Sequence, residues 1–277
     1  MRTTVSLAAC LVLLGWSAAA SAQQLENPRT DYTAYTRPRG RLALGLLKTD
    51  LGVIDELLVG TYPLPWLAFP LLKTTVPNAY VKVRSPWAGP LTLALGGSFT
   101  YINAKALAQL ADKNADGSAL SLTGEFDASY RFDERFSLSL GLDYARLRAV
   151  GGADEDAGSV EGATTGHTIS TRALGEWRLN RVFALTLLLR YLIYRAPVKV
   201  EATSSTPALT VASDLSAEST AQRRLTAVAG VSFEWERWEL NVGAGYGVFY
   251  LPVMGLASGK AWPVVDLAFA YRFDLYH

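Results

Sequence analysis

The feature that most constrains the fold is a set of long segments in which apolar and polar residues alternate. In Ser121 to Phe132, the even positions are apolar or glycine, and the odd positions are Ser, Thr, Glu, Asp or Arg. Because successive side chains of a strand point to opposite faces, this pattern predicts a strand with one apolar and one polar face. Soluble sandwich strands average about five or six residues, whereas these segments are long enough to cross a bilayer at a tilt. The same alternation recurs at 136–145, 224–236, 238–250 and 265–273.

Aromatic residues cluster at both ends of these segments, which is typical of the two girdles of a membrane barrel. We therefore predict an all-β fold, a transmembrane antiparallel up-and-down β-barrel, with a large soluble barrel as the alternative. One predicted girdle contains Phe132, Phe136, Trp177, Phe183, Trp235, Trp238 and Phe273. The other contains Tyr101, Tyr144, Tyr191, Tyr250 and Trp262.

The start of the chain has the pattern of a secretory signal. Arg2 is followed by an apolar stretch, and Ala20-Ser21-Ala22 forms an A-x-A cleavage site. We expect cleavage after Ala22, which makes residues 1–22 the signal peptide and 23–277 a single barrel domain in a bacterial outer membrane. Arg2 is the only charged residue of the signal, so the remaining chain has as many basic as acidic residues. This balance argues against a nucleic-acid partner.

The connections predict the orientation and the number of strands. Outer-membrane barrels have short periplasmic turns and long outer loops. Short turns are expected near Pro86, Asp133, Asn180 and Glu236, and long connections at 103–118, 150–165 and 197–220. We count eleven segments, two of which, 40–48 and 56–62, are joined by a turn at "TDLGVIDE". We place a twelfth strand at Thr30 to Arg37, so twelve strands are predicted, with ten or fourteen as alternatives.

The chain resembles a Gram-negative outer-membrane β-barrel protein. "AYRF" (Ala270 to Phe273) is similar to the C-terminal signal read by the barrel-assembly machinery. "TAYTRPRG" (Thr33 to Gly40) resembles the first strand of a group of proteobacterial barrels with a TAYT-x-P-x-G motif. The resemblance implies contact with outer-membrane lipid and lipopolysaccharide and with the assembly machinery. It implies an architecture and names no solute.

Charged residues on the polar faces are expected to meet inside the barrel. Counting from the turn at Asp133 places Glu125 opposite Asp143, about seven residues up the wall. Arg172, Arg190 and Asp266 fall at similar heights, so these five residues form a candidate constriction. Either the layer is a salt-bridged network that fills and rigidifies a narrow barrel, or it selects what passes through. A lower layer contains Arg131, Glu176, Arg178, Glu234, Glu239 and Arg272.

Two other patterns suggest weaker hypotheses for sites. "DKNADG" places Asp112, Asn114 and Asp116 at the spacing of the first half of a calcium loop, but the bidentate glutamate is missing. We otherwise expect no cofactor. For a lipid-modifying enzyme, His167 and Ser170 are the only candidate pair, and residues three apart on a strand face opposite sides. We therefore do not expect an enzyme.

One outer connection is strongly apolar. "PLPWLAFPLL" (Pro63 to Leu72) has three prolines, which exclude it from the middle of a sheet. Leu64, Trp66, Phe69 and Leu71 could form a strap in the outer lipid interface or a lid over the barrel mouth, and an irregular membrane strand is a third possibility.

These patterns together predict a narrow passive channel or transporter for small solutes, or a structural barrel with a salt-bridged lumen. The alternatives are a surface barrel that binds a ligand or partner and, third, a lipid-modifying enzyme.

Overall fold

The computed structural model describes residues 29–63, 76–86, 89–103, 115–155, 158–195, 198–204, 214–215, 224–235, 237–251 and 256–275. The predicted signal peptide, the apolar residues Leu64, Trp66, Phe69 and Leu71, and the calcium candidates Asp112 and Asn114 lie outside these residues. The third calcium candidate, Asp116, lies within a strand whose backbone is described.

The described chain is built from fourteen strands. They are β1 (Arg41–Gly45), β2 (Thr49–Ile54), β3 (Leu57–Thr61), β4 (Asn78–Arg84), β5 (Leu91–Asn103), β6 (Ala115–Arg131), β7 (Phe136–Glu155), β8 (Gly158–Arg178), β9 (Phe183–Arg195), β10 (Val198–Ser204), β11 (Asp214–Leu215), β12 (Leu225–Trp235), β13 (Trp238–Leu251) and β14 (Leu256–Asp274).

Twelve of these strands form a closed antiparallel barrel in which consecutive strands are neighbours. The barrel closes where β1 pairs with β14, from Arg41 opposite Asp274 to Gly45 opposite Ala270. The other two strands, β10 and β11, form a hairpin that pairs with the start of β8, at 160–165. The predicted number of twelve barrel strands is confirmed.

The alternation of the sequence decides which face of the wall is apolar. On β6, Leu122 and Phe126 are 45% and 43% exposed on the outer surface, whereas Asp127 is fully buried in the lumen. Most residues of both predicted aromatic girdles are exposed on the outer surface, for example Phe132, Trp235 and Trp262. Such an apolar outer face suits contact with lipid.

Side chains close two of the tight turns at the short-turn end. Asp133 Oδ1 accepts hydrogen bonds from the backbone N–H groups of Arg135 and Phe136, both at 2.7 Å. Asn180 Oδ1 accepts from Val182 and Phe183 at 2.8 and 2.9 Å. These side chains bond to the backbone two and three residues on, which is why Asp and Asn favour turns. The hairpins therefore begin where the sequence predicted.

The predicted strand at Thr30 to Arg37 is wrong, and so is the predicted turn at "TDLGVIDE". Residues 49–54 of that turn form β2, and residues 30–37 form no strand. Residues 30–37 have no apolar face to place against lipid, and they lie inside the barrel instead. Gly and Asp within β2 are disfavoured in strands, which hides this short strand in the sequence.

The predicted long connections are partly strand. β7 continues to Glu155 and β8 begins at Gly158, so the hairpin extends through most of 150–165. Twenty consecutive residue pairs join the two strands. At about 3.3 Å per residue they are longer than a bilayer requires, so the hairpin projects beyond it. A polar stretch of sequence therefore marks where contact with lipid ends, whereas the strand itself continues.

One outward assignment on β13 is also corrected. The register between β13 and β14 shifts between Val248 and Tyr250, and Val248 is buried against Leu192 of β9. A bulge of this kind turns a side chain to the other face of the sheet. Among the described residues, no helix is long and apolar enough to cross a membrane.

Candidate functional site

Residues 29–37 run through the lumen, and we call them the luminal segment. Arg29 and Thr30 are buried, and so is every residue from Thr33 to Arg37. No β-bridge joins the luminal segment to the wall in the part of the chain that the structure describes. The segment is therefore held by side-chain contacts. It descends from Arg29 at mid-height to Arg37 near the short-turn end, where Gly40 leads into β1.

Lys82 on β4 is the main link between the luminal segment and the wall. Its Nζ donates to the backbone oxygens of Thr30 and Thr33, at 3.2 and 3.0 Å. The same Nζ lies 3.2 Å from Glu125 and 3.3 Å from Asp127 on β6. Lys82 is only 1% exposed, so this ammonium group depends on these four oxygens to replace water.

Four of the five predicted constriction residues meet in the lumen. Glu125 lies directly opposite Asp143, as predicted, and Arg172 lies directly opposite Arg190. The Arg172 guanidinium is 3.3 Å from Glu125 and forms an ion pair with Asp143. Arg190 lies 3.9 Å from Asp143. The mid-height layer is therefore a continuous ionic network.

Two residues that the sequence analysis omitted complete this network. Asp127 lies 2.6 Å from Arg172 and 3.3 Å from Lys82. With Lys82 and Asp127 included, the network holds three cations and three carboxylates: Lys82, Arg172, Arg190, Glu125, Asp127 and Asp143. Both omitted residues alternate with outward apolar residues on their strands, and that pattern could have identified them. Asp127 contacts the wall residues Lys82 and Arg172, and Lys82 also binds the luminal segment.

The fifth predicted residue, Asp266, has a different partner. It accepts a hydrogen bond from Arg29 of the luminal segment at 3.0 Å. Arg29, Arg172 and Arg190 place their guanidinium carbons 5.4 to 5.6 Å from the centre of the Tyr32 ring. A cation over an aromatic face is attracted by the ring quadrupole. Tyr32 of the luminal segment thus joins Asp266 to the mid-height layer indirectly.

The predicted lower layer is also paired, and it too involves the luminal segment. Arg37 donates to both oxygens of Glu239, at 2.7 and 2.9 Å, and forms an ion pair with Asp50 of β2. Arg178 lies 2.9 Å from Glu176 and 3.1 Å from Glu234. Bidentate pairs of guanidinium and carboxylate have a specific geometry, so the lower layer fixes the position of the segment as it leaves the barrel.

A glycine in the wall makes room for the network. A Cβ placed on Gly141 of β7 would lie 2.7 Å from the Arg172 guanidinium and 2.8 Å from Asp127 Oδ1. On the neighbouring strand, a Cβ on Gly124 would meet no atom within 4 Å. Packing of the network therefore favours glycine at position 141, whereas nothing near position 124 does.

Space remains beside the luminal segment, next to β2. A pocket there is lined by charged groups of the segment and the wall, and by Leu47 and Phe269. Its charged and polar lining residues are Asp31, Arg37, Lys48, Asp50, Glu239 and Asn241. Higher in the lumen, Tyr32 and Val264 pack on an apolar cluster of Leu174, Leu188 and Val228. The lumen beside β2 is thus mainly polar.

The residues considered for an enzyme lie on different faces. Ser170 is buried in the lumen, where its Oγ lies 3.4 Å from Asp143. His167 bonds to the exposed Tyr144 on the outer surface, with Nδ1 2.8 Å from the Tyr144 oxygen. They form no nucleophile–base pair. Among the described residues there is no group of three His, Cys, Asp or Glu side chains that could hold a metal ion.

Comparison with known proteins finds similarity at the level of architecture. No protein-family model and no curated protein matches the sequence. The translocator domain of the autotransporter NalP from Neisseria meningitidis is 14% identical, with a TM-score of 0.43 over 97% of this chain and 85% of that chain. The KdgM porin in complex with disordered oligogalacturonate is 12% identical, with a TM-score of 0.28 over 84% and 96%. The Pseudomonas putida toluene transporter TodX is 8–9% identical, with TM-scores of 0.31 and 0.29. At these values the likeness is one of fold alone.

Proposed function

We propose that the protein is a narrow passive channel for small solutes in the bacterial outer membrane, and that the luminal segment holds it closed. The short-turn end then faces the periplasm, and the ends of β7 and β8 face outward. The observation that carries the proposal is the way in which the luminal segment is bound. Lys82 of the wall and Arg37 of the segment itself hold it through hydrogen bonds and ion pairs, without a β-ladder.

Binding through polar groups suits a segment that can move out of the lumen. If the luminal segment moves, it uncovers charged and hydroxylic groups that water and ions can solvate, together with the small apolar cluster on which Tyr32 packs. An apolar filling would instead leave an unfavourable, dry surface. Beside Asp31 and Lys48, the pocket along the short strands provides a place where displacement can begin.

The charge of the uncovered lumen suggests the class of solute. The mid-height network contains as many cations as carboxylates. A lining with both signs favours small polar solutes over a strong preference for one ion charge. Changing Glu125 to Ala should therefore shift the ion preference towards anions in planar bilayers.

A reversible cross-link tests the closing role of the luminal segment. Ala34 N donates to Ser129 Oγ at 2.7 Å, so this pair brings the segment next to β6. In the double variant Ala34→Cys/Ser129→Cys, the two thiols should form a disulfide under oxidising conditions. No other thiol competes, because the residues beyond the predicted signal contain no other cysteine. Single-channel recordings would compare the oxidised and reduced double variant, the wild type and Lys82→Met.

The expected result is a low open probability in the wild type, none in the oxidised double variant, and frequent openings in Lys82→Met. Reduction of the double variant should restore the wild-type behaviour. If all four forms show the same steady conductance, the luminal segment does not close the pore. If the folded Lys82→Met variant never conducts, the second candidate function is favoured, a structural barrel whose network rigidifies the lumen.

A further inference from the structure

We propose that Arg146, Arg148 and His167 form a binding site for the phosphate of an outer-leaflet lipid, here the phosphorylated lipid A part of lipopolysaccharide. These residues lie on the outer surface of β7 and β8. The proposal concerns the outer wall and is independent of any conduction through the lumen.

The depth of these residues in the membrane follows from their positions along the strands. Phe136 and Trp177 belong to the aromatic girdle at the short-turn end, and Phe136 lies opposite Trp177 in the β7–β8 ladder. Arg146 and His167 are each ten positions further along these strands and lie opposite one another. With a rise of about 3.3 Å per residue and a tilt of about 40°, ten residues rise about 25 Å. This is about the height of the apolar band, so Arg146 and His167 lie at the depth of the outer head groups.

Arg146 and Arg148 are both exposed and lie on the same face of β7, two positions apart. No carboxylate lies within ion-pairing distance of either guanidinium in the part of the chain that the structure describes. The buried luminal arginines Arg172 and Arg178, in contrast, are paired with carboxylates. The two exposed arginines therefore present an uncompensated positive patch.

In the strand register, the acidic residues of the hairpin tip lie several positions above this patch. Glu161 pairs with Gly152, four positions above Arg148, and Asp154 is six positions above it. These separations correspond to about 13 and 20 Å along the strand.

Residues directly opposite on paired strands have Cβ atoms about 5 Å apart, so Arg146 and His167 can reach one phosphate together. The Tyr144 hydroxyl occupies Nδ1 of His167 at 2.8 Å, with the two rings stacked, and leaves Nε2 for a further partner. Guanidinium groups bind phosphate oxygens in a bidentate manner.

The surroundings fit the rest of a lipid. Leu122 lies opposite Arg146 on β6, and Leu120 lies opposite Arg148, and both side chains are exposed. Tyr101 on β5 lies opposite Leu120 and is exposed as well. A phosphate held by the arginines would thus have its acyl chains against an apolar wall.

The test measures the binding of lipid A to the purified, folded barrel in detergent by native mass spectrometry. Three probes are compared: lipid A with its phosphates, the same lipid after removal of the phosphates, and inorganic phosphate. The variants are Arg146→Gln/Arg148→Gln and the matched control Arg135→Gln/Arg181→Gln. The control removes the same charge from two exposed turn residues at the opposite end.

We expect Arg146→Gln/Arg148→Gln to weaken the binding of phosphorylated lipid A about tenfold or more. The control should bind like the wild type, and removal of the lipid phosphates should abolish the difference between the variants. Tyr144→Phe, which keeps the ring and removes the hydroxyl, should weaken binding about two- to threefold. A band shift on unheated gels checks that each variant is folded.

Two results would overturn the proposal. One is equal affinity of the wild type and the folded double variant for phosphorylated lipid A. The other is equal weakening in the Arg135→Gln/Arg181→Gln control, which would reduce the effect to net charge. Strong competition by inorganic phosphate alone would show a free-anion site and would also contradict a lipid site.

Discussion

The wall of the barrel is built in two different ways. One part, which we call the tall wall, has long strands such as β7 and β8, which pair through twenty consecutive residues. The low wall consists of β1, β2 and β3, each five or six residues long, and only two residue pairs join β1 to β2.

The low wall depends on the luminal segment for contacts that its ladders do not supply. Lys48, next to β2, lies 2.7 Å from Asp31 of the segment, and Asp50 of β2 pairs with Arg37. Strands of the tall wall are joined mainly by backbone hydrogen bonds. The comparison shows that the luminal segment is a structural part of the barrel as well as a filling. The predictions below test this difference, from the largest effect to the smallest.

The largest effect is expected for Lys82→Met. The substitution removes the ammonium group that the luminal segment shares with Glu125 and Asp127. A buried carboxylate without its partner is strongly destabilising, so the free energy of unfolding should fall by about 3–5 kcal/mol. Guanidinium unfolding in detergent, followed by tryptophan fluorescence, measures it. The exposed turn variant Arg181→Met is the control, and an equal loss in both variants would contradict the role of Lys82.

The Arg37→Gln variant should destabilise the low wall and leave the tall wall unchanged. It breaks the contacts of the luminal segment with Glu239 and Asp50. Losing hydrogen bonds between charged groups costs about 2 kcal/mol, so amides of β1 and β2 should exchange with deuterium about 30-fold faster. Exchange in β7 and β8 should stay unchanged.

Arg178→Gln is the matched control for this experiment, because Arg178 binds Glu176 and Glu234 of the tall wall and lies in the same lower layer. It should leave exchange in β1 and β2 unaltered. Uniform acceleration throughout the barrel by Arg37→Gln would show that the low wall has no separate dependence on the luminal segment.

A smaller effect is expected for Gly141→Ala. Its methyl group would collide with Arg172 and Asp127 and force the mid-height network to shift, which costs about 1–3 kcal/mol. The control is Gly124→Ala, where the added methyl group meets open space. Thermal unfolding monitored by circular dichroism compares them, and equal melting temperatures would rule out the packing reason given for Gly141.

The smallest effect concerns the turn at Asp133, at the short-turn end of the tall wall. The backbone N–H groups of Arg135 and Phe136 lower the pKa of the Asp133 carboxyl below its ordinary value of 3.8. A lowered pKa means that the charged form stabilises the fold at neutral pH, and this stability is lost as the pH falls through the lowered pKa. Asp133→Asn should therefore melt slightly earlier than the wild type at neutral pH.

That difference should diminish as the pH falls through the lowered pKa, because the wild-type carboxyl then becomes protonated. Asn180 provides the control, because it makes the same turn contacts with an uncharged side chain. The effect of Asn180→Ala should not change with pH over this range. A constant difference between Asp133→Asn and the wild type would show that the carboxyl charge contributes nothing.

Most of the tall wall could be predicted from the sequence because its strands have one face towards lipid and one towards the lumen. The two environments require apolar and polar side chains to alternate along a strand, as Leu122 and Asp127 show. The facing pair Glu125 and Asp143 followed from counting along one hairpin, since a tight turn fixes the register of both strands. These inferences use only local information.

The low wall and the luminal segment could not be predicted in this way. In a five-residue strand, alternation is too short to stand out, and residues 30–37 carry polar or aromatic side chains at every position except Ala34. The choice between a wall strand and a lumen filling depends on partners that are distant in sequence. Lys82 and Glu239 lie about 50 and 200 positions from the residues that they bind.

The fold class and the face that each long strand turns to lipid therefore follow from the sequence, whereas the predicted total of twelve strands included one segment, 30–37, that is not a strand. The physical reason is that a membrane separates apolar from polar side chains within every strand. Which segment lies in the lumen and which charges pair there follow only from the tertiary structure. Ion pairs such as Lys82 with Asp127 and Arg29 with Asp266 arise when the barrel closes around the chain that precedes it.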